Sequence, residues 1–152
     1  MSATYAGAKA ALLAYFTSGW ASTTPIRSRN DTTPATWPPM SGSELAPWVY
    51  FEILGNGSRI AGQGAPGNSL WHYDRLIAVH CYVPAGSGDA AATALAQQAG
   101  ELFRAKVLYD TETPGCYVRT FAPSVDEGDR GDSEGNWYRV SMTCEFEYWH
   151  RG

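Results

Sequence analysis

The stretch GNGSRIAGQGAPGN, residues 55–68, has the composition of a loop that could wrap a phosphate. It holds five glycines in fourteen residues, and Gly55 and Gly57 have the spacing that opens a dinucleotide-binding fingerprint. That fingerprint needs a third glycine where Ile60 stands and a helix after the loop, whereas the residues after Asn68 alternate as in a strand. A P-loop would also need a lysine followed by Ser or Thr. The sequence therefore predicts that this stretch binds no nucleotide.

A metal site is the second chemistry that the residue types suggest. His72, Asp74 and His80 fall on one face of a predicted strand, and two imidazoles with a carboxylate can bind a metal. The two histidines are about 26 Å apart along an extended strand, so one ion cannot bridge them. The sequence predicts neither a metal nor an organic cofactor.

Carboxylates cluster in two further places. The stretch DEGDRGDSEGN, residues 126–136, lacks the spacing of an EF-hand and is typical of a solvated turn. Glu145 and Glu147 fall on one face of the last predicted strand, and no nucleophile or pocket is indicated beside them. The sequence contains no metalloprotease, serine-hydrolase or calcium-loop pattern. We therefore expect that the protein is not an enzyme.

Composition favours a protein whose surface is partly covered by partners. The 152 residues make one domain, 1–152, in which 17% of residues are charged and 13% are aromatic. A formal charge of -4 argues against a dedicated nucleic-acid binder. Cys81, Cys116 and Cys144 have no CxxC spacing and are predicted to be reduced, buried thiols. No apolar run is long enough to cross a bilayer, so we expect no membrane association.

Hydrophobic periodicity predicts six elements in the order α-β-β-α-β-β. The first helix has Ser2 as its N-cap and Gly19 as its stop, and the second follows a cap at Ser87 or Asp89. The strands are predicted at 48–54, 70–84, 116–125 and 136–150. We expect an α+β fold, with an antiparallel four-stranded sheet made of two hairpins and two helices packed on one face. The predicted core joins the last strand to both helices: Tyr138, Val140, Met142, Cys144 and Phe146 against Leu12, Phe16, Leu95, Leu102 and Phe103.

Two long connections interrupt this pattern. Residues 21–47 are rich in Pro, Ser and Thr and are predicted to form an irregular loop. Residues 55–69 are predicted to form a glycine-rich hairpin arm, mobile and weakly charged, that orders itself against a neighbouring subunit. The side chains that such an arm offers are Arg59, Ile60 and Gln63.

The stretch YVPAGSGDAAATALAQQAGELFRAKVL, residues 82–108, resembles the tail terminator-like proteins of long-tailed phages and of phage-derived gene transfer agents. The shared features are a strand that ends in Pro84, a turn with Gly86 and Gly88, a helix of Leu and Ala, and a closing Phe103. NDTTPATWPP followed by PWVYFEIL, within residues 30–54, is similar to the family's Asn-then-Pro loop and first strand. The order α-β-β-α-β-β agrees over nearly the whole chain, whereas the glycine-rich arm and the acidic turn have no counterpart.

The resemblance implies a structural protein of a virion or virion-like particle, assembled in the host cytoplasm and located at the head-proximal end of the tail. It implies a homo-oligomeric ring, usually a hexamer, that caps the tail tube protein, ends tail polymerisation and joins the tail to the head connector or stopper protein. DNA would only pass through the lumen. On this hypothesis Glu145 and Glu147 line the lumen and repel phosphate. The residues expected at subunit or tail contacts are Trp48, Tyr50, Gly57, Arg59, Ile60 and Gln63.

Two alternatives stay open. A head–tail completion or neck protein of the same particle can share this small α+β fold. A small-molecule-binding α+β domain is the alternative from a different class of protein.

Overall fold

The computed structural model describes residues 3–110 and 115–152, and long β-strands dominate it. In chain order the elements are α1 (Tyr5–Trp20), β1 (Ile26–Ser28), β2 (Met40–Ser41), β3 (Glu44–Leu45), β4 (Trp48–Gly62), β5 (Leu70–Pro84), α2 (Ala90–Phe103), β6 (Val107–Leu108), β7 (Tyr117–Val125), β8 (Asp129–Arg130) and β9 (Trp137–Arg151). Neither helix is long and apolar enough to span a bilayer, among the residues described.

One large mixed sheet replaces the predicted four-stranded one. Within the described residues its strand order is β1-β4-β5-β9-β7-β6, with β8 paired to β9, and β2 and β3 form a separate small sheet. β1 runs parallel to β4, and the other pairs of the large sheet are antiparallel. The sheet curls into a half-barrel. The predicted antiparallel four-stranded sheet is therefore wrong, because strands of two or three residues such as β1 and β6 are too short to show a periodicity.

The helices cover one face of this sheet. α1 begins after Thr4, whose hydroxyl accepts a hydrogen bond from the Gly7 amide at 3.0 Å, while the predicted cap Ser2 lies outside the described residues. α1 buries one stripe at i, i+4 spacing: Ala8, Leu12, Phe16 and Trp20. α2 presents a face of alanines, and at Gly100 an added Cβ would lie 3.0 Å from the Cβ of Pro123 on β7. The small residues of α2 thus let it lie close to the sheet.

The core lies between this helical layer and the sheet, with Phe103 inside it. Its ring centroid is 5.7 Å from that of Tyr15, 6.0 Å from Phe16 and 6.4 Å from Phe51. Of the predicted core, Leu95, Leu102 and Tyr138 are half-buried at its margin, and the other members are buried: Leu12, Phe16, Phe103, Val140, Met142, Cys144 and Phe146.

The predicted hairpin arm at 55–69 is mostly paired strand, which corrects the expectation of a long mobile loop. β4 and β5 stay in register through Gly57 with Asp74, Arg59 with His72 and Gly62 with Leu70, with irregularities after Gly55 and after Ile60. Only residues 63–69 connect the strands. Glycine composition indicated a loop, but β5 is held by β9 along its whole length and offers β4 a continuous partner.

Candidate functional site

The face of the sheet opposite the helices, here called the outer face, carries most of the polar groups that could do chemistry. Strand alternation places side chains on it from β4, β5, β7 and β9. The β5 members are His72, Asp74, Leu76, Ala78, His80 and Tyr82, and the β9 members are Trp137, Arg139, Ser141, Thr143, Glu145, Glu147 and Trp149.

The structure places most of the predicted contact residues on this face but spreads them along it. Trp48 and Tyr50 lie at one end, opposite Tyr82 and His80 of β5. Gly57 and Arg59 lie near the other end, opposite Asp74 and His72. Trp48 and Gly57 therefore sit about 26 Å apart, taken from eight residues of β5.

The remaining predicted residues lie elsewhere. Ile60 pairs with Trp71, and both lie on the helix side of the β4–β5 hairpin. Gln63 lies in the 63–69 connection. Glu145 is exposed and Glu147 is half-buried on the outer face. Arg119 stands opposite Glu147 in the register, so this face is of mixed charge rather than uniformly acidic.

An aromatic cluster closes the Trp48 end of the outer face. The Trp48 ring stacks on Tyr82 with centroids 4.2 Å apart. The Trp37 ring packs edge-on against Trp48, with centroids 4.9 Å apart. The Arg27 guanidinium lies 4.9 Å from the Trp37 ring centroid. These contacts fasten the 21–47 segment to the sheet, so Trp48 has a packing role within the chain.

A hydrogen-bonded row of side chains crosses the middle of the outer face. Its order, carboxylate, histidine and serine, is that of a catalytic triad. Glu52 can only accept, so His80 Nε2 donates to Glu52 Oε1 at 2.8 Å, and Ser141 Oγ lies 2.6 Å from His80 Nδ1. Arg29 donates to the other Glu52 oxygen at 2.8 Å. Burial raises the pKa of the Glu52 carboxyl, but the hydrogen bonds from His80 and Arg29 outweigh burial and leave that pKa below its ordinary value of 4.5.

Ser141 is buried, with 7% of its surface exposed, and its backbone amide donates to Asp126 Oδ1 at 3.0 Å. A serine nucleophile needs a hydroxyl that substrate can reach and free amide donors for the oxyanion, and Ser141 presents neither in this arrangement. The sequence alone does not reveal this row, because its three side chains come from three strands whose register only the fold defines. Its geometry is that of a cross-strand support.

The sheet ends in two unlike edges. Among residues 3–110 and 115–152, β1 covers the outer edge of β4 only as far as Phe51, and no strand pairs with the rest of that edge. On the opposite side β6 is the terminal strand among the described residues. It pairs with Val118 and Arg119 of β7, and Ala105 and Lys106 extend this cover through backbone hydrogen bonds with Phe121 and Thr120. Exposed apolar side chains flank both edges: Leu54 and Ile60 at the first, Val107 and Phe121 at the second. Unpaired strand edges are templates for pairing with another chain.

A shallow apolar cavity lies beside the second edge. Its volume is about 780 Å³, and it runs along β7 and the residues 104–107 that follow α2. Basic and aromatic side chains line it: Arg104, Lys106, Tyr117, Arg119 and Phe121, with Val107. The cavity can take an apolar side chain that arrives with an added strand.

No protein-family model and no curated protein matches the chain. A solved structure whose name is only a sequence identifier is similar to it, with 20% sequence identity and a TM-score of 0.56. The match covers 90% of this chain and 92% of the other. At this identity the likeness concerns the fold alone, and it extends over nearly the whole domain.

Proposed function

We propose that this protein is a structural component of a phage-type particle, forming a homo-oligomeric ring that caps the tail tube, ends its polymerisation and joins it to the head connector. The observation that carries the proposal is the pair of unlike free edges on opposite sides of one sheet. The resemblance of residues 82–108 to tail terminator-like proteins supplies the particle, the position and the expected hexamer.

The two unlike edges allow a ring by symmetry. A contact between different surfaces of identical subunits is head-to-tail, and such contacts close into rings when the rotation allows it. Strand addition supplies main-chain hydrogen bonds, and alternate side chains supply specificity. Ile60 of one copy would enter the cavity beside Phe121 and Val107 of the next copy. The free edge of β4 is therefore the surface that we assign to subunit contact.

The outer-face chemistry agrees with a structural role. The Glu52–His80–Ser141 chain ties three strands together without an exposed nucleophile. Charged groups of both signs lie on this face, which suits a polar surface that partners approach rather than a substrate pocket.

The position of the protein in a particle tests this function. Particles made by the strain that carries the gene would be imaged with gold-labelled antibody against the protein, with particles from a deletion strain as the control. We expect label at the junction of tail and head, and tails of uncontrolled length or missing tails after deletion. Label on the head side of the neck would favour a neck protein instead. Label on no particle, with normal particles after deletion, would contradict the proposal.

A further inference from the structure

Three ligand-type side chains converge near the far end of the outer face. His72 Nε2 is 3.0 Å from Glu147 Oε2 and 3.4 Å from Asp74 Oδ1. One ligand atom from each residue lies within 4.8 Å of the other two. On sequence alone His72 shares a strand face with Asp74 and with His80, which is too distant to share an ion, and only the β5–β9 register brings Glu147 beside His72.

These side chains are held by the sheet. Asp74 and Glu147 stand directly opposite each other on β5 and β9, and His72 lies two residues along the same face. The His72 side chain is 4% exposed, and its ring centroid is 4.2 Å from that of Trp149. The imidazole is therefore fixed by packing before any ligand arrives, which lowers the entropic cost of binding.

The two carboxylates of this cluster face only one proton from His72. Like charges directly opposite on neighbouring strands are destabilising. The single Nε2 proton of His72 is donated to Glu147, and Asp74 Oδ1 at 3.4 Å receives no hydrogen bond from it. Arg59 approaches the other Asp74 oxygen, Oδ2, at 3.7 Å and leaves Oδ1 facing the histidine. Two carboxylate oxygens thus face one ring nitrogen.

Two of the three separations, those from His72 Nε2 to each carboxylate oxygen, are those of neighbouring ligands around one ion. With metal–nitrogen and metal–oxygen bonds of about 2.0–2.2 Å, tetrahedral ligands stand about 3.3–3.6 Å apart and octahedral ligands about 3 Å apart. The two N–O distances, 3.0 and 3.4 Å, span these values. An ion would bind Nε2 in place of its proton, leaving the ring proton on Nδ1, and would be bound by both carboxylates as well.

We propose that His72, Asp74 and Glu147 bind one divalent transition-metal ion, for which Zn²⁺ is the matching probe. An imidazole nitrogen beside two carboxylates suits Zn²⁺, whereas Ca²⁺ and Mg²⁺ prefer oxygen ligands alone. The Asp74 side chain is 52% exposed, so the ion has an entry path and room for a water ligand. The ion would link β5 to β9 next to the free edge of β4.

Zinc titration of untagged protein tests the site. The protein would be stripped with a chelator, freed of it, and titrated with Zn²⁺ by calorimetry, with native mass spectrometry counting bound ions. We expect one Zn²⁺ per chain and a rise in the thermal midpoint with zinc concentration. Co²⁺ in place of Zn²⁺ should give visible absorption bands that Zn²⁺ quenches.

Variants decide whether the ion sits where we place it. Asp74→Asn and Glu147→Gln should each weaken zinc binding at least about tenfold, since loss of a direct ligand costs no less than loss of an outer partner. Glu145→Gln, on the same face and strand, should bind as the parent does. His72 is buried, so His72→Asn is informative only if folded, and the exposed Asp74 keeps the test valid without it.

Two results would overturn the site. One is the absence of zinc binding by the parent protein at micromolar concentrations. The other is binding that Asp74→Asn and Glu145→Gln affect equally, which would place the ion elsewhere. Binding is measured on the isolated chain, so the outcome is independent of whether the protein forms a ring.

Discussion

Replacing Phe103 with alanine removes the ring that joins both helices to the sheet. Phe103 is fully buried at the end of α2 and contacts aromatic rings from α1 and β4. The change leaves the backbone of α2 intact, since alanine is a good helix former. The loss in free energy of unfolding therefore measures the packing of the ring and not a change in the helix backbone.

The magnitude follows from three contributions. Exposing a phenylalanine side chain that was fully buried costs about 1.5–3 kcal/mol. A residual void of about 50 Å³ adds about 1.2 kcal/mol at about 24 cal/mol per Å³. The lost ring contacts with Phe16, Tyr15 and Phe51 add a further fraction, since aromatic pairs contribute about 0.5–1.5 kcal/mol. We expect the free energy of unfolding to fall by about 3–5 kcal/mol.

Urea titration followed by tryptophan fluorescence measures this loss, and Met40→Ala provides a control outside the proposed subunit contact. Met40 is 52% exposed, so its truncation should cost about 1 kcal/mol or less. The m-value should stay unchanged in both variants if only stability has changed. A loss below about 1 kcal/mol for Phe103→Ala, or equal losses for the two variants, would refute the assigned core.

Three further predictions concern pH, thiols and the β4–β5 connection. The folded pKa of Glu52 lies below 4.5, so its stabilising contribution is present above that pH and is lost as pH falls through the folded value. Urea titrations between about pH 3 and about pH 6 should therefore show a smaller loss on acidification in Glu52→Gln than in the parent. Burial raises the pKa of the Cys81 thiol to about 12, and Cys116 and Cys144 are buried too, so Ellman's reagent should react with none of the three until the protein unfolds. Replacing residues 63–69 with Asn-Gly should leave a folded protein with an unchanged number of subunits by native mass spectrometry, because the proposed contact lies on the strand edge. A changed number of subunits would show that the connection is a contact.

The sequence located the long elements of the fold but not the way they assemble. Period-2 alternation is clearest in β9, and the period-3.6 pattern is clearer in α2 than in α1, because most of the apolar side chains of β9 and α2 lie on one face. β1 has three residues and β6 two, and their pairing depends on the neighbouring strand rather than on their own pattern. The extension of β4 through glycines likewise depends on β5, so composition predicted a loop there.

The candidate sites were less predictable than the elements. Alternation alone put Glu145 and Glu147 on one face, and the structure agrees. The proximity of Glu147 to His72 requires the β5–β9 register, which no local pattern encodes. The partnership of Glu52, His80 and Ser141 depends on three strands in the same way.

The native mass of edge variants tests the ring most directly. The parent should have a mass that is a multiple of 16.5 kDa, expected to be six-fold, and Glu145→Gln should keep it. Ile60→Asp puts a charge on the β4 edge and Phe121→Asp puts one in the cavity beside the β6 edge, so each variant alone should be monomeric. In an equal mixture the intact edge of each variant can pair once with the other, and native mass spectrometry should detect a heterodimer that grows no further. A parent that stays monomeric at every concentration, or variants that keep the parent's mass, would contradict the head-to-tail ring.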